Sequence, residues 1–232
     1  MAKVDVKCPF CEQAHSVKKH GPGRSGHQRY RCQACRRSFQ LEYEYRACHP
    51  GMKDQIVDLA MNNAGIRDTA RALHISINTV VRTFKKLSPR NVTTLPLDNL
   101  QIQLICEVDE MWSFIGNKKQ QRWLWYAWEP RFKRIIAHVF GRRSKKTFRQ
   151  LLGLLLGFNV VFWCTDNFSA YDMLPDEKHI SGKLYTQRIE RENLNIRNRL
   201  KRLNRKTLGY SKSAEMHDSI IGTFIEREHY LM

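Results

Sequence analysis

The chain has 232 residues, 42% of them hydrophobic, enough to build roughly one to three ordinary domains. Forty Lys and Arg against 22 Asp and Glu give a formal net charge of +18, carried by both halves, which points to a polyanionic partner with nucleic acid first. A membrane span is excluded, because the longest apolar stretch, Leu151 to Cys164, is broken by Asn159 and bounded by Arg149 and Asp166. The opening MAKVDVKCPF lacks the apolar core of a secretory signal, so a reducing compartment is expected for the seven cysteines.

Residues 1–47 are rich in Cys, Gly and basic side chains and contain no helix-length apolar stripe. Cys8 and Cys11 form one CxxC pair and Cys32 and Cys35 a second, with twenty residues between the pairs. That spacing suits two knuckles converging on one tetrahedral structural Zn²⁺, a zinc ribbon in which the intervening residues run out and back as a hairpin. His15, His20 and His27 read as surface or DNA-contacting groups, and Cys48 as a spare thiol.

From residue 52 to 87 apolar residues recur at helical spacing, with breaks at Gly65 and at His74-Ile75-Ser76, which predicts three short helices. The stretch GIRDTARALHISINTVVRTFKKL fits a helix-turn-helix: a first helix Ile66 to Leu73 and a second capped by Ser76. Ala70 allows close approach, and Ile75 and Val80 fill the gap. The second helix of such a motif enters the major groove, so Asn78, Thr79, Arg82 and Thr83 are candidates for DNA contact, with Lys85 and Lys86 on the backbone. Residues 88–100, with two prolines and no strong period, read as a linker.

Beyond residue 101 the pattern changes to short β-rich segments: Leu104 to Met111, Trp123 to Trp128 and Ile135 to Phe140, close enough in sequence for an antiparallel meander. A helix from Ser144 to about Gly157, a strand from Val160 to Thr165, an unassigned stretch 167–187 and a long helix from Arg188 to about Lys206 complete an α/β domain over residues 101–232. Trp112, Trp123, Trp125 and Trp128 read as core and sheet packing, and Cys106 and Cys164 as buried thiols.

Asp109 on the first of these strands and Asp166 at the end of an apolar strand are costly to desolvate unless cations meet them. A pair of Mg²⁺ ions on such carboxylates is the arrangement used for phosphoryl transfer. A third acid is expected from the last helix, where Glu190 and Glu192 flank the apolar stripe on opposite sides, so periodicity does not choose between them. Arg197 and Lys201 on the Glu190 flank are candidates to hold the DNA backbone. Glu107 and Glu110 rank below Asp109 as substitute ligands.

The whole chain resembles transposases of the insertion-sequence-one family, on CPFC with RYRC, CEVDEMWSFIGNK, QRWLWYAWEPR, RIIAHVFGRR, CTDNFSAY, TQRIEREN and RLNRKTLGYSKS. The resemblance implies a zinc ribbon, a helix-turn-helix and an RNase H-like domain with a mixed sheet. It implies an Asp-Asp-Glu site using two Mg²⁺ or Mn²⁺ ions, which cuts 3′ ends at terminal inverted repeats and joins them to target DNA. It favours Glu190, since Ile189, Glu190, Arg191 and Asn193 match the family's motif, although Glu192 stands where relatives carry Asn. Two DNA ends must be held together, so a homo-oligomer on double-stranded DNA is implied, in a bacterial cytoplasm and associated with the nucleoid, and the N-terminal portion of such proteins can also be made alone as a repressor. Competing readings are a non-catalytic zinc-ribbon and helix-turn-helix regulator, which the first 90 residues alone would allow, and a nuclease or resolvase-like enzyme that cuts without joining.

Overall fold

Cysteine spacing near one end of the chain and β-rich segments in the other half produce two separate sheets, of three and five strands. The computed structural model describes residues 5–97 and 101–231. The small sheet is antiparallel in the order β1 (Val17–Pro22), β2 (Gln28–Cys32), β3 (Ser38–Gln40). Its core is Cys8, Cys32 and Phe39, with the Tyr30 ring stacked on Phe39 at 5.7 Å. So little apolar surface leaves this unit dependent on a cross-link.

Three helices follow: α1 (Met52–Met61), α2 (Ile66–Leu73) and α3 (Ile77–Phe84). α2 stops at His74, which takes the left-handed conformation (φ 53°) as its C-cap. The Ser76 hydroxyl accepts the Thr79 N–H at 3.2 Å and starts α3. Ala70, Ile75 and Val80 are buried between the helices.

The stretch 88–97 is not a free linker. Asn91 and Thr93 hydrogen-bond along the strand that carries Ile136 and His138, Val92 bridges to Ala137, the Thr94 hydroxyl donates to the Tyr230 carbonyl, and Leu97 is buried. Apolar Val92, Leu95 and Leu97 give it a core to join despite its prolines. Residues 98–100 lie outside the described residues.

The large sheet contains β4 (Gln103–Ile115), β5 (Asn117–Glu129), β6 (Arg134–Gly141), β7 (Asn159–Thr165) and β8 (His179–Ser181), in the order β6-β5-β4-β7-β8. β4, β5 and β6 pair antiparallel; β7 joins β4 and β8 joins β7 in parallel. This is the mixed sheet of the expected RNase H-like domain. α4 (Lys145–Leu155) covers one face, burying Phe148, Leu151 and Leu155 against Trp125, Ile136 and Val139. α5 (Gln187–Arg199) and α6 (Ala214–Ile225) cover the other with Ile189, Ile196, Ile220 and Phe224.

That second core is continuous with the helical trio, since Ile56, Ala60, Val80 and Phe84 belong to the same buried cluster. Arg227 pairs with Asp58, and the Lys201 N–H donates to the Asn63 side chain across the same junction.

Three elements differ from the sequence reading. β4 and β5 extend into a hairpin turning at Gly116 (φ 72°), where exposed Lys118, Lys119, Gln120 and Gln121 offer no alternation to read. The long helix ends at Arg199 rather than Lys206, because Leu200 is extended (φ −125°, ψ 93°) and a short 3₁₀ turn at Lys201–Leu203 follows, still burying Leu200 and Leu203. α6 has no counterpart in the sequence reading: it is buried on nearly every side, so no amphipathic stripe marks it.

Candidate active site

The parallel ladder of β4 and β7 pairs Glu107 with Cys164. Two residues further on each strand are Asp109 and Asp166, so the register brings the two aspartates side by side, the second just past the end of β7. Glu190 comes from the first turn of α5, and all three line one cleft of about 590 Å³ with Glu110, Trp112, Trp123, Arg143, Asn193, Arg197 and Arg205.

The phase of α5 decides which glutamate faces the cleft. Its N-cap Thr186 supplies no side-chain hydrogen bond; instead the buried Glu107 carboxylate accepts the Ile189 N–H at 2.9 Å, capping the helix from the sheet. With Ile189 held there, the next residue turns toward Asp109. Glu192 lines a separate depression of about 300 Å³ with Asn195, Arg199, Phe224 and His229, and lies 3.7 Å from the His229 ring. Glu192 therefore lies outside the cleft that Glu190 lines, and the Glu107 carboxylate is engaged in capping the helix.

Asp109 is held at both oxygens. Oδ1 accepts the Glu110 N–H at 2.8 Å, and Oδ2 accepts the Asn193 amide at 2.6 Å. The Asn193 carbonyl oxygen in turn accepts the hydroxyl of fully buried Tyr126 at 2.9 Å. Burial, together with the charges of Glu110 and Asp166, pushes the Asp109 carboxyl up to about 7 against these donors. Asp166 accepts the Phe168 N–H at 3.0 Å, a turn that fixes its side chain.

Glu110 is occupied within the protein. Its side chain is 2% exposed and both oxygens are engaged, one by Arg143 at 2.7 Å and the other by the Tyr171 hydroxyl. Burial still raises its pKa, with the two hydrogen bonds opposing.

Among the described residues, the four cysteines are the one set of three or more His, Cys, Asp or Glu whose ligand atoms all lie within 4.8 Å of one another. Cys8 lies 3.6 Å from Cys35 and Cys11 3.5 Å from Cys32. Tetrahedral Zn–S bonds of about 2.3 Å would set the sulfurs about 3.8 Å apart, so the cluster fits one zinc. Burial raises the Cys8 thiol, but hydrogen bonds from the backbone of Phe10 and Cys11 outweigh it and bring it down to about 7.

The three carboxylates share a cleft, not one tight coordination sphere. That suits two cations about 3.5–4 Å apart, whose outer ligands need not touch, and hard oxygen donors suit Mg²⁺ or Mn²⁺.

Of the DNA-contact candidates, Asn78, Arg82, Lys85 and Lys86 are exposed on or just after α3. Thr79 and Thr83 are half-buried and engaged within the protein: Thr79 with Ser76 and with the Tyr45 hydroxyl at 3.0 Å, Thr83 with the Thr79 carbonyl. Tyr45 also accepts the Ser76 N–H, tying the segment after the ribbon to the start of α3. Arg197 lines the cleft; Lys201 sits on the turn after α5 and does not. Arg205, whose guanidinium lies 5.2 Å from the Trp112 ring centre, does line it and was missed, as was Arg143. Trp125 and Trp128 are core as expected, but Trp112 and Trp123 are half-buried on the cleft.

The model of the IS1 transposase family matches residues 103–231, over half of the chain and including all three acids. This protein is a member of the IS1 transposase family. Models of the InsA N-terminal and C-terminal domains match residues 1–36 and 43–88 of the same IS1-family chain. It is similar to the insertion element iso-IS1n protein InsB of Shigella dysenteriae, 48% identical over 128 residues, covering 55% of this chain and 98% of that protein. It is also similar to the insertion element IS1 2 protein InsB of Escherichia coli K12, 45% identical over 148 residues, covering 63% of this chain and 89% of that protein. This IS1-family member thus joins InsA-like and InsB-like regions in one polypeptide. Among its described residues no helix is long and apolar enough to cross a membrane.

Proposed function

We propose that this IS1-family transposase binds the terminal inverted repeats of its own element in the bacterial cytoplasm, cuts their 3′ ends and transfers them to target DNA. The observation that carries this reading is the common cleft of Asp109, Asp166 and Glu190, lined also by Arg197 and Arg205. Asp109, Asp166 and Glu190 would hold a pair of Mg²⁺ or Mn²⁺ ions, which supply activation of water, then of the freed 3′-hydroxyl, and stabilisation of charge on the phosphate. Asn193 and the Glu110 N–H fix the two oxygens of Asp109. Arg197 and Arg205 attract the DNA backbone. Asn78 and Arg82 on α3, with Lys85 and Lys86 just after it, read and grip the duplex, and the ribbon with one Zn²⁺ adds a second basic contact. Joining two ends requires at least a dimer on DNA.

The test is a Mg²⁺-dependent cleavage and joining assay on DNA carrying the element's ends, comparing the parent with Asp109→Ala and Asp166→Ala. Loss of roughly a thousandfold or more in both variants is expected, given the several kcal/mol such ions supply. Equal activity in all three proteins overturns the reading, and cleavage without newly joined strands reduces it to a nuclease.

A further inference from the structure

Arg143, in the loop between β6 and α4, is held more firmly than a surface arginine requires. Its Nε donates to Glu110 Oε1 at 2.8 Å and a terminal nitrogen reaches the same oxygen at 2.7 Å. Glu110 is in turn fixed by buried Tyr171. The guanidinium carbon lies 3.9 Å from the centre of the Phe168 ring and 5.2 Å from that of Trp123. A carboxylate and two aromatic rings therefore restrain the group, yet 42% of the side chain is exposed and it lines the cleft with Asp109 and Asp166.

A second buried pair gives the contrast. Arg131 binds fully buried Glu129 and gives a third donor to the Gln103 carbonyl. Two of its N–H groups are left, but it is not among the residues that line the acid cleft. A guanidinium has five N–H groups. Glu110 takes two of those of Arg143, and the remaining three have no protein partner among the described residues. A planar fork, pre-oriented and short of acceptors, beside two aspartates, is suited to the paired oxygens of a phosphodiester.

We propose that Arg143 is a phosphate-binding residue that holds a DNA phosphodiester next to the bond being cut, from the sheet side of the cleft, complementing Arg197 and Arg205 from α5 and the segment after it. The proposal rests on the transposase reading above. Because Glu110 and Phe168 hold the guanidinium in place, little side-chain freedom is lost when phosphate binds, so the fork gives position as well as charge.

The experiment compares the parent with Arg143→Lys, which keeps a cation beside Glu110 but loses the fork. Binding is measured without divalent ions on a labelled duplex spanning one end of the element, and on duplexes carrying a single neutral methylphosphonate at successive phosphates around the terminal bond. Arg143→Lys is expected to bind the unmodified duplex roughly tenfold or more weakly with an unchanged melting temperature. That difference should vanish at one methylphosphonate position beside the terminal bond. Phe168→Leu, which removes a stacking ring and leaves the ion pair, should show a smaller loss at the same position, and serves if Arg143→Lys does not fold. Affinity equal to the parent, or a penalty that persists at every methylphosphonate position, overturns the proposal. Failure of the transposase reading looks different: the parent itself would not distinguish the terminal duplex from an unrelated one and would not cut it with Mg²⁺.

Discussion

Four thiols of the N-terminal sheet lie within 4.8 Å of one another, whereas three carboxylates of the C-terminal domain share a cleft of about 590 Å³ without meeting that closeness. The chemistry of the ligands explains the contrast. Thiols can hydrogen-bond to each other, as Cys8 with Cys35 and Cys11 with Cys32 do here, so they can cluster before a metal arrives. Carboxylates repel, and the rise of Asp109 to about 7 records what burial and neighbouring acids already cost. The support differs as well. The cysteines hold together a unit whose core is little more than Phe39, while Asp109, Asp166 and Glu190 are borne by a sheet and helix with cores of their own. A closed site makes its fold; an open one is made by it.

The sharpest way to break this contrast is to remove a thiol. In Cys32→Ser, zinc content should fall from about one ion per chain to near zero, and amide protons of residues 5–47 should exchange freely. The large sheet should keep its cooperative melting. Retained zinc, or unfolding that spreads to the large sheet, would erase the distinction.

Acid separates the two regions next. His138, His217 and His229 are buried, and burial lowers their pKa values to about 3, 3 and 4. Below pH 6.5 the unfolded chain binds protons that the folded chain refuses, so stability is lost as pH falls toward 3, by at most about 1.4 kcal/mol per pH unit per histidine. His217→Gln should flatten that slope in a melting series between pH 4 and 7, leaving the ribbon's metal loss unchanged. An unaltered slope would exclude His217 as a source.

A smaller effect tests whether the cleft is pre-arranged. Asn193→Ala removes the donor to Asp109 and leaves the Tyr126 hydroxyl without its best acceptor. Cleavage should drop roughly tenfold, with a higher Mg²⁺ requirement in a titration, in line with the loss of one or two buried hydrogen bonds. The smallest effect belongs to Glu192→Gln, which should cut within about twofold of the parent because Glu192 lines the other depression. A loss matching that of Glu190→Gln would move the third ligand.

Much of this was legible from residue order. The cysteine pairs, the limits of α2, the Ser76 cap that starts α3, the strand bearing Asp109 and the strand leading into Asp166 follow from spacing, caps and apolar runs. What was not legible depends on docking. Glu190 and Glu192 are equivalent on a helical wheel until Glu107 fixes the start of α5. Lys201 continues the helical spacing only if the helix continues, and Leu200 ends it. Thr79 and Thr83 look free until Tyr45 and the α3 backbone engage them. Arg143 carries no signal in RIIAHVFGRR that separates it from Arg142; only its meeting with Glu110 does.

The core shared by the helical trio and the α5–α6 layer has a consequence for DNA geometry. If α3 occupies the major groove at an element's end, the recognised bases and the acid cleft stand at a fixed separation, and the protein behaves as a ruler. One base pair inserted between them would rotate the cut bond about 35° around the duplex axis and carry it out of reach. Half a turn would present the wrong strand.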